Sequence, residues 1–141
     1  MNRVLFSSAS NHWSTPADVY TALHEEFKFT FDACPLYSID GLTKQWRGSV
    51  FCNPPYSNIK GFLEKGYSEI CNGRVTSLVY LLPSRTDTKW FHDYCIGNEI
   101  RFLRGRLKFG GAVNNAPFPS MIVILKKIAA HAVLPWQDKY L

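Results

Sequence analysis

The 141-residue sequence lacks the features that mark several classes of protein. Its four cysteines form no Cys-x-x-Cys pair and have no matching cluster of histidines, so we expect no metal site. No apolar run approaches the roughly 20 residues that cross a bilayer, and the opening stretch, MNRVLFSSAS, lacks the apolar core of a secretory signal. These absences predict a cytoplasmic protein with reduced thiols and no membrane contact.

Repeats and low-complexity tracts are also absent, which favours one globular domain over residues 1–141. Residues 1–12, rich in serine and asparagine, are predicted to be a loose lead-in. The net charge of +5 favours an anionic partner such as nucleic acid, although a slightly basic soluble protein would carry the same charge. Aromatic residues make up 15% of the chain, and their rings serve either as large buried units or as faces for stacking on bases.

Helix and strand patterns alternate along the chain. The stretch TPADVYTALHEEF predicts a helix with Thr15 as its N-cap and Pro16 as its first residue. A second helix is predicted from Ser57 to the glycine of CNGR, and a shorter one within SRTDTKWFHDYC. Strand patterns occur in FKFTFDAC, SVFC, VTSLVYLLP, EIRFLRGRLKFGG and FPSMIVILKK. This order predicts an α/β fold of three layers, with a mixed sheet that ends in an antiparallel hairpin.

Three of the predicted strands end in polar or rigid residues. Asp32 ends the first strand, Asn53 follows SVFC, and residues 83–87 lie at the end of VTSLVYLLP. Because ligands of α/β sheets bind beyond the carboxyl ends of the strands, we expect these three loops to line one cleft.

The stretch NPPY at residues 53–56 predicts a stiff corner, because two prolines can neither continue a helix nor donate to a sheet. The side-chain oxygen of Asn53 and the carbonyl oxygen of Pro54 could accept hydrogen bonds from an exocyclic amine on a base. Pro55 would fix these acceptors and Tyr56 would stack on the base. An activated methyl group held in line with the nitrogen lone pair could then be transferred.

NPPY resembles the Asp/Asn/Ser-Pro-Pro-aromatic motif of amino-methyltransferases that use S-adenosylmethionine. A longer series of blocks resembles the phage-type DNA N6-adenine methyltransferase (Dam) family, in order from Trp13 to about Leu125. These blocks are WSTPADVYTAL, FTFDAC, DGLTKQW, FCNPPYS, LLPSRTDTKWFH, IRFLRGRLKF and APFPSMIVIL.

The resemblance implies a compact Rossmann-like fold, S-adenosylmethionine as cofactor, and N6-methyladenine in double-stranded DNA as product. The target adenine would be flipped out of the duplex to reach the site. The residues implied to hold the adenine are Asn53, Pro54, Pro55 and Tyr56. Those implied to bind the cofactor are Trp13, Thr15, Asp32, Ala33, Cys34, Asp40 and Asn53.

The resemblance also implies a biological setting, and the sequence departs from the family pattern in two ways. Phage- or prophage-encoded members would act in the cytoplasm of a bacterial host, where methylation protects DNA from restriction. The glycine-rich loop usual after the first strand of methyltransferases is absent from FDACPLYS. No separate target-recognition domain is visible, so a homodimer could span the DNA.

A rim of basic residues is the candidate DNA contact. Arg104, Arg106 and Lys108 alternate along one side of IRFLRGRLKF, and Arg85 follows a strand end. They would bind phosphates. Alternatively, the three alternating residues could be a solvated edge strand protected by charge, and Arg85 could pair with Asp87.

The other site residues have plainer alternatives as well. Asn53–Tyr56 could be a tight turn that caps the following helix, and Asp32 could cap a turn. Thr15 could be only an N-cap, and Trp13 only a packing residue. The function also has alternatives. The methylated group could be another planar amine: that of adenine in RNA, N4 of cytosine, or the side-chain amide of a protein glutamine. The chain could also be a nucleic-acid-binding module that has lost cofactor binding.

Overall fold

The fold is a five-stranded mixed sheet in a computed structural model that describes residues 14–35 and 40–126. Its strands are β1 (Phe31–Asp32), β2 (Gly48–Cys52), β3 (Val75–Pro83), β4 (Glu99–Phe102) and β5 (Ser120–Lys126). They lie in the order β1-β2-β3-β5-β4, with β1, β2 and β3 parallel and β5 antiparallel to both of its neighbours. The predicted α/β class, the mixed sheet and the closing antiparallel pair are confirmed.

Two helices, α1 (Ala17–Phe27) and α2 (Ile59–Cys71), cover opposite faces of the sheet. Leu23 of α1 shares a buried cluster with Val79, whereas Leu63 of α2 shares another with Tyr80. Because successive strand residues point to opposite faces, the two clusters form two core layers around β3. No helix within the described residues is long and apolar enough to cross a membrane.

The start of α1 differs from the prediction by one residue. Pro16, not Thr15, occupies the N-cap position, and no side chain caps the helix there. The carbonyl of Pro16 accepts the first helical hydrogen bond, from the amide of Tyr20 at 3.0 Å. The hydroxyl of Thr15 is therefore not used as a cap.

The strand predicted from Phe27 to Asp32 is wrong over most of its length. Helix α1 continues to Phe27, and Lys28 then takes a left-handed conformation at φ 53° that ends it. Only Phe31 and Asp32 pair with β2. The alternating phenylalanines are explained by packing instead, since Phe29 is buried against the ring of Phe51.

Helix α2 follows the predicted pattern. A short 3₁₀ turn, Tyr56–Asn58, leads into it, and the side chain of Asn58 caps it by accepting from the amide of Gly61 at 3.1 Å. Gly73 follows its end with φ +81°, as expected for a glycine after a helix. The short helix predicted after β3 is present as a π-helical turn, Phe91–Cys95.

Strand β4 is shorter than predicted. It ends at Phe102, and the amide of Leu103 makes a last bond to the carbonyl of Ser120 at 3.0 Å. The next residue on the facing chain, Pro119, faces β3, where its carbonyl accepts from the amide of Ser84 at 2.9 Å, and the pairing of β4 with β5 ends at Phe102 and Met121. Residues 103–119 therefore form a long connection from β4 to β5 and not a strand.

The strand directions set the position of the candidate site. Because β1, β2 and β3 are parallel, the residues that follow them lie at one edge of the sheet. Ser120 pairs with Pro83, so the antiparallel strand β5 begins at the same edge. This edge therefore carries Asp32, Asn53 and Ser84 together with the end of the 103–119 connection.

A buried carboxylate fixes the opposite edge. Glu69 is 2% exposed and accepts from the amide of Trp46 at 3.2 Å, from Lys65 at 2.9 Å and from Arg74 at 3.0 Å. Burial alone would raise the pKa of Glu69, but hydrogen bonds from Lys65, Arg74 and the Trp46 amide outweigh it and lower the pKa. The network joins α2 to the segments that enter β2 and β3.

Glu69→Gln should weaken the fold and remove part of its acid sensitivity. A folded-state pKa below the unfolded value of about 4.3 adds stability that is complete above that value and is lost as pH falls through the lowered pKa. We expect the variant to lose about 1.5–3 kcal/mol near neutral pH and to show a flatter decline towards acid. Urea unfolding of both proteins over this pH range would measure the effect.

Glu64→Gln on the same helix is the matched control. Glu64 is half-exposed and pairs with Lys60 at 3.6 Å, so its loss should cost about 0–1 kcal/mol. Equal effects of the two variants would contradict the role given to Glu69.

Candidate active site

A cavity of about 280 Å³ opens at the carboxyl edge of β1 and β2. It lies beside the first turn of α1 and brings together side chains that are distant in sequence. Its lining residues are Ser14, Thr15, Ala17, Tyr20, Asp32, Cys34, Phe51 and Asn53. Four of the predicted site residues, Thr15, Asp32, Cys34 and Asn53, are thus found around one space.

Asn53 is held in place by Thr15. It is 4% exposed, and its Nδ2 donates to the hydroxyl of Thr15 over 3.1 Å. The amide nitrogen of Asn53 thus lies on the Thr15 side of the carboxamide. The alternative that the turn Asn53–Tyr56 caps the following helix is wrong in its capping part, because the side chain of Asn58 supplies that cap.

The rest of the corner is rigid and turns the chain away from β2. Pro54 is buried, and Pro55 is extended at φ −64° and ψ 142°. Proline fixes φ and donates no hydrogen bond, so the carbonyl groups here keep one direction. Tyr56 then begins the 3₁₀ turn.

Two rings enclose Tyr56. Phe118 contacts it edge to face at 5.2 Å between centroids, and Phe109 does so at 6.5 Å. The hydroxyl of Tyr56 is buried without a hydrogen-bond partner among the described residues. Burial raises the pKa of Tyr56 well above its ordinary value, and the positive charge of Arg85 opposes the rise only in part. Tyr56 is therefore a neutral aromatic ring near physiological pH.

Asp32 has two roles in the geometry. Its Oδ1 accepts from the amide of Cys34 at 3.0 Å, as in the alternative of a turn cap, and Asp32 also lines the cavity. Much of the surface of Asp32 is exposed to solvent, but the protein around its carboxylate desolvates the charged form and raises its pKa. The hydrogen bond from the Cys34 amide partly offsets this rise. Within the described residues, no group of three His, Cys, Asp or Glu could hold a metal ion.

Cys34 and Ala33 differ in their access to the cavity. Cys34 is 5% exposed, lines the cavity, and has its pKa raised to about 12 by burial and by the nearby charge of Asp32. Ala33 is buried in the core, and its amide donates to the carbonyl of Phe51 at 2.9 Å. Ala33 positions the turn instead of lining the space.

Asp40, another predicted cofactor residue, does not lie in the cavity lining. Asp40 is on an exposed turn, where its carboxylate pairs with Lys44 at 3.2 Å and its carbonyl accepts from Thr43. Trp13 lies outside the described residues.

The basic residues lie along the 103–119 connection and at its end. Arg104, Arg106 and Lys108 are exposed, while the intervening Leu107 is half-buried, so the predicted alternation persists without a paired strand. Arg85 stands over the ring of Phe118, with 5.9 Å from its Cζ to the centroid. Arg85 is therefore directly beside the Tyr56 corner.

The sequence patterns did not point to three aromatic residues of the site. Tyr20 lines the cavity, and its position one turn after Pro16 could have indicated this, but helical spacing alone suggested packing. Phe109 and Phe118 come from the two ends of a loop, and no local pattern links either one to Tyr56.

Comparison with known families gives one result that covers nearly the whole chain. The family model described as DNA N-6-adenine-methyltransferase (Dam) matches residues 4–137. The chain belongs to the Dam family. Comparisons with curated proteins and with solved structures found no match. The Dam family is one of DNA adenine methyltransferases, so the Asn53 corner is the part of this chain to be tested for adenine chemistry.

The cavity can be tested through its thiol. We expect Cys34 to react with iodoacetamide far more slowly than the exposed Cys71, since a pKa of about 12 lowers its thiolate fraction at mildly alkaline pH roughly a thousandfold. Asp32→Asn should accelerate the reaction of Cys34, because it removes a negative charge and keeps the oxygen that accepts from its amide. Peptide mass spectrometry over time would measure both rates.

Cys71→Ser serves as the control that removes the fast site. Labelling of Cys34 at the rate of Cys71 would show that the cavity wall is more open than described.

Proposed function

We propose that this chain is a Rossmann-like methyltransferase that transfers a methyl group from S-adenosylmethionine to N6 of adenine in double-stranded DNA. The observation that carries the proposal is the Asn53 carboxamide, held by Thr15 at the carboxyl end of β2 and beside a cavity. Family membership supports adenine in DNA as the substrate.

The corner has the groups that an exocyclic amine requires. N6 of adenine is a poor nucleophile because its lone pair is delocalised into the ring. Acceptors on its two hydrogens, supplied by the Asn53 side chain and the Pro54 carbonyl, would favour a tetrahedral nitrogen. Both acceptors are fixed before the substrate arrives, so they need not reorganise during the reaction.

Tyr56 would supply the stacking face for the adenine. Its ring is neutral and half-buried, and Phe109 and Phe118 contact it edge to face. These contacts hold the ring in place and leave part of its surface accessible. N6 cannot be reached in this geometry inside a base stack, so the adenine would be flipped out of the duplex.

The cavity has side chains that fit the methionine part of S-adenosylmethionine. Asp32 would attract its ammonium group, and Ala17 lies at the N-terminus of α1, where backbone N–H groups favour a carboxylate. Thr15, Cys34 and Trp13 would complete this part of the pocket, and Asp40 remains a candidate for the adenosine. The bound cofactor supplies an electrophilic methyl group.

The exposed cations would place the DNA backbone near the corner. Arg85, Arg104, Arg106 and Lys108 would each neutralise a phosphate and so make binding dependent on salt. In the cytoplasm of a bacterial host, such methylation would protect phage DNA from restriction. A homodimer would let two corners face one duplex.

The experiment is transfer of labelled methyl groups to unmethylated duplex DNA, with the product nucleosides resolved by mass. Wild type should form N6-methyladenine, and Asn53→Ala should form about 100- to 1,000-fold less, the usual cost of losing one fixed polar group at a reacting centre. Asn72→Ala, at the exposed end of α2, is the matched control and should keep full activity.

Other products would change the proposal in defined ways. N4-methylcytosine, or transfer only to RNA, would retain the corner chemistry and replace the substrate. No transfer to any nucleic acid, with no binding of S-adenosylhomocysteine in calorimetry, would favour a non-catalytic binding module.

Thr15→Val should lower the turnover number about 2- to 10-fold, the value of one hydrogen bond, because the Asn53 amide would lose its orienting partner. Thr15→Ser keeps the hydroxyl and should restore most of the rate. Steady-state kinetics with saturating cofactor would measure this. A change confined to the KM for the cofactor would mean that the hydroxyl acts on the cofactor and not on the amide.

A further inference from the structure

The segment 110–117, here called the tip loop, projects exposed side chains beside the Tyr56 corner. Val113 is 86% exposed, and Asn114 and Asn115 are exposed next to it. A cavity of about 230 Å³ is lined by the tip loop and by Phe109 and Phe118, so the tip is not packed down onto the protein.

The base of the tip loop is firmly attached. The amide of Gly110 donates to the carbonyl of Ser14 at 2.9 Å, and the amide of Ala116 donates to the carbonyl of Leu107 at 2.7 Å. The residues that flank the tip loop, Phe109 and Phe118, both contact Tyr56. The tip loop is therefore held at a set distance from the Asn53 corner.

The charge around the tip loop is of one sign. Residues 103–119 contain no aspartate or glutamate, and Arg104, Arg106 and Lys108 precede the tip as exposed cations. Arg85 lies at its far end, over Phe118. Such surroundings suit a polyanion such as the DNA backbone.

We propose that the tip loop reads DNA sequence, with Asn114 and Asn115 contacting an adenine·thymine pair next to the flipped adenine in the major groove. This proposal rests on the proposed function. An asparagine carboxamide matches N6 and N7 of adenine bidentately, and an apolar side chain such as that of Val113 suits the methyl group of thymine. The cations position the backbone, whereas the tip specifies the bases.

The test is a methylation-preference assay on a pool of duplexes with random bases around one adenine, read by sequencing that detects N6-methyladenine. The proteins are wild type, the double variant Asn114→Ala/Asn115→Ala, Arg106→Ala, and Arg47→Ala as a control, because Arg47 is exposed before β2 at the opposite edge of the sheet. The double variant should relax the preference at one adenine·thymine position by about 5- to 150-fold, the range for one bidentate contact.

Arg106→Ala should lower methylation of all sequences by the same factor and leave the preference unchanged, because a phosphate contact carries no sequence information. Arg47→Ala should match wild type. The preference is a ratio within one preparation, so partial unfolding of a variant lowers every site equally and cannot imitate relaxation.

The remaining outcomes overturn the proposal. An unchanged preference in the double variant, or a wild type without sequence preference, would refute reading by the tip loop while leaving adenine methylation intact. An absence of N6-methyladenine from every duplex with wild type would refute the proposed function and the tip-loop proposal together.

Discussion

The register of the three parallel strands determines where the chemistry of this protein can occur. Asp32 pairs with Phe51 and Cys52 pairs with Tyr80, so the first residues beyond β1 and β2 emerge side by side. A slip of one residue would turn every side chain of β2 to the other face. Val50 and Cys52 would then leave one core layer, and the Asn53 corner would move away from Thr15.

The two edges of the sheet differ in how their polar groups are satisfied. At the amino edge, both oxygens of Glu69 have cationic or amide partners. At the carboxyl edge, the hydroxyls of Tyr56, Ser84 and Ser120 are buried without partners among the described residues. Unpaired buried groups cost stability, so the Glu69 network strengthens the fold, whereas these three hydroxyls weaken it.

Much of the architecture could be predicted because it depends on local patterns. The apolar run of β3, the amphipathic α2 and the double proline after β2 specify their structures within a few residues. The lengths of β1 and β4 could not be predicted, because each depends on pairing with a strand that is distant in the sequence. For the same reason the partner of Thr15, 38 residues away, and the rings around Tyr56 were not predictable.

Ser14 connects two regions that would otherwise be independent. Its side chain lines the cavity, and its carbonyl holds Gly110 so closely that a methyl group on that glycine would come within 2.0 Å of the Ser14 hydroxyl. A ligand in the cavity would therefore contact the residue that holds the base of the tip loop. If such a ligand displaced Ser14 and with it the tip loop, thermodynamic reciprocity would require binding at the tip loop to change the affinity of the cavity by the same factor.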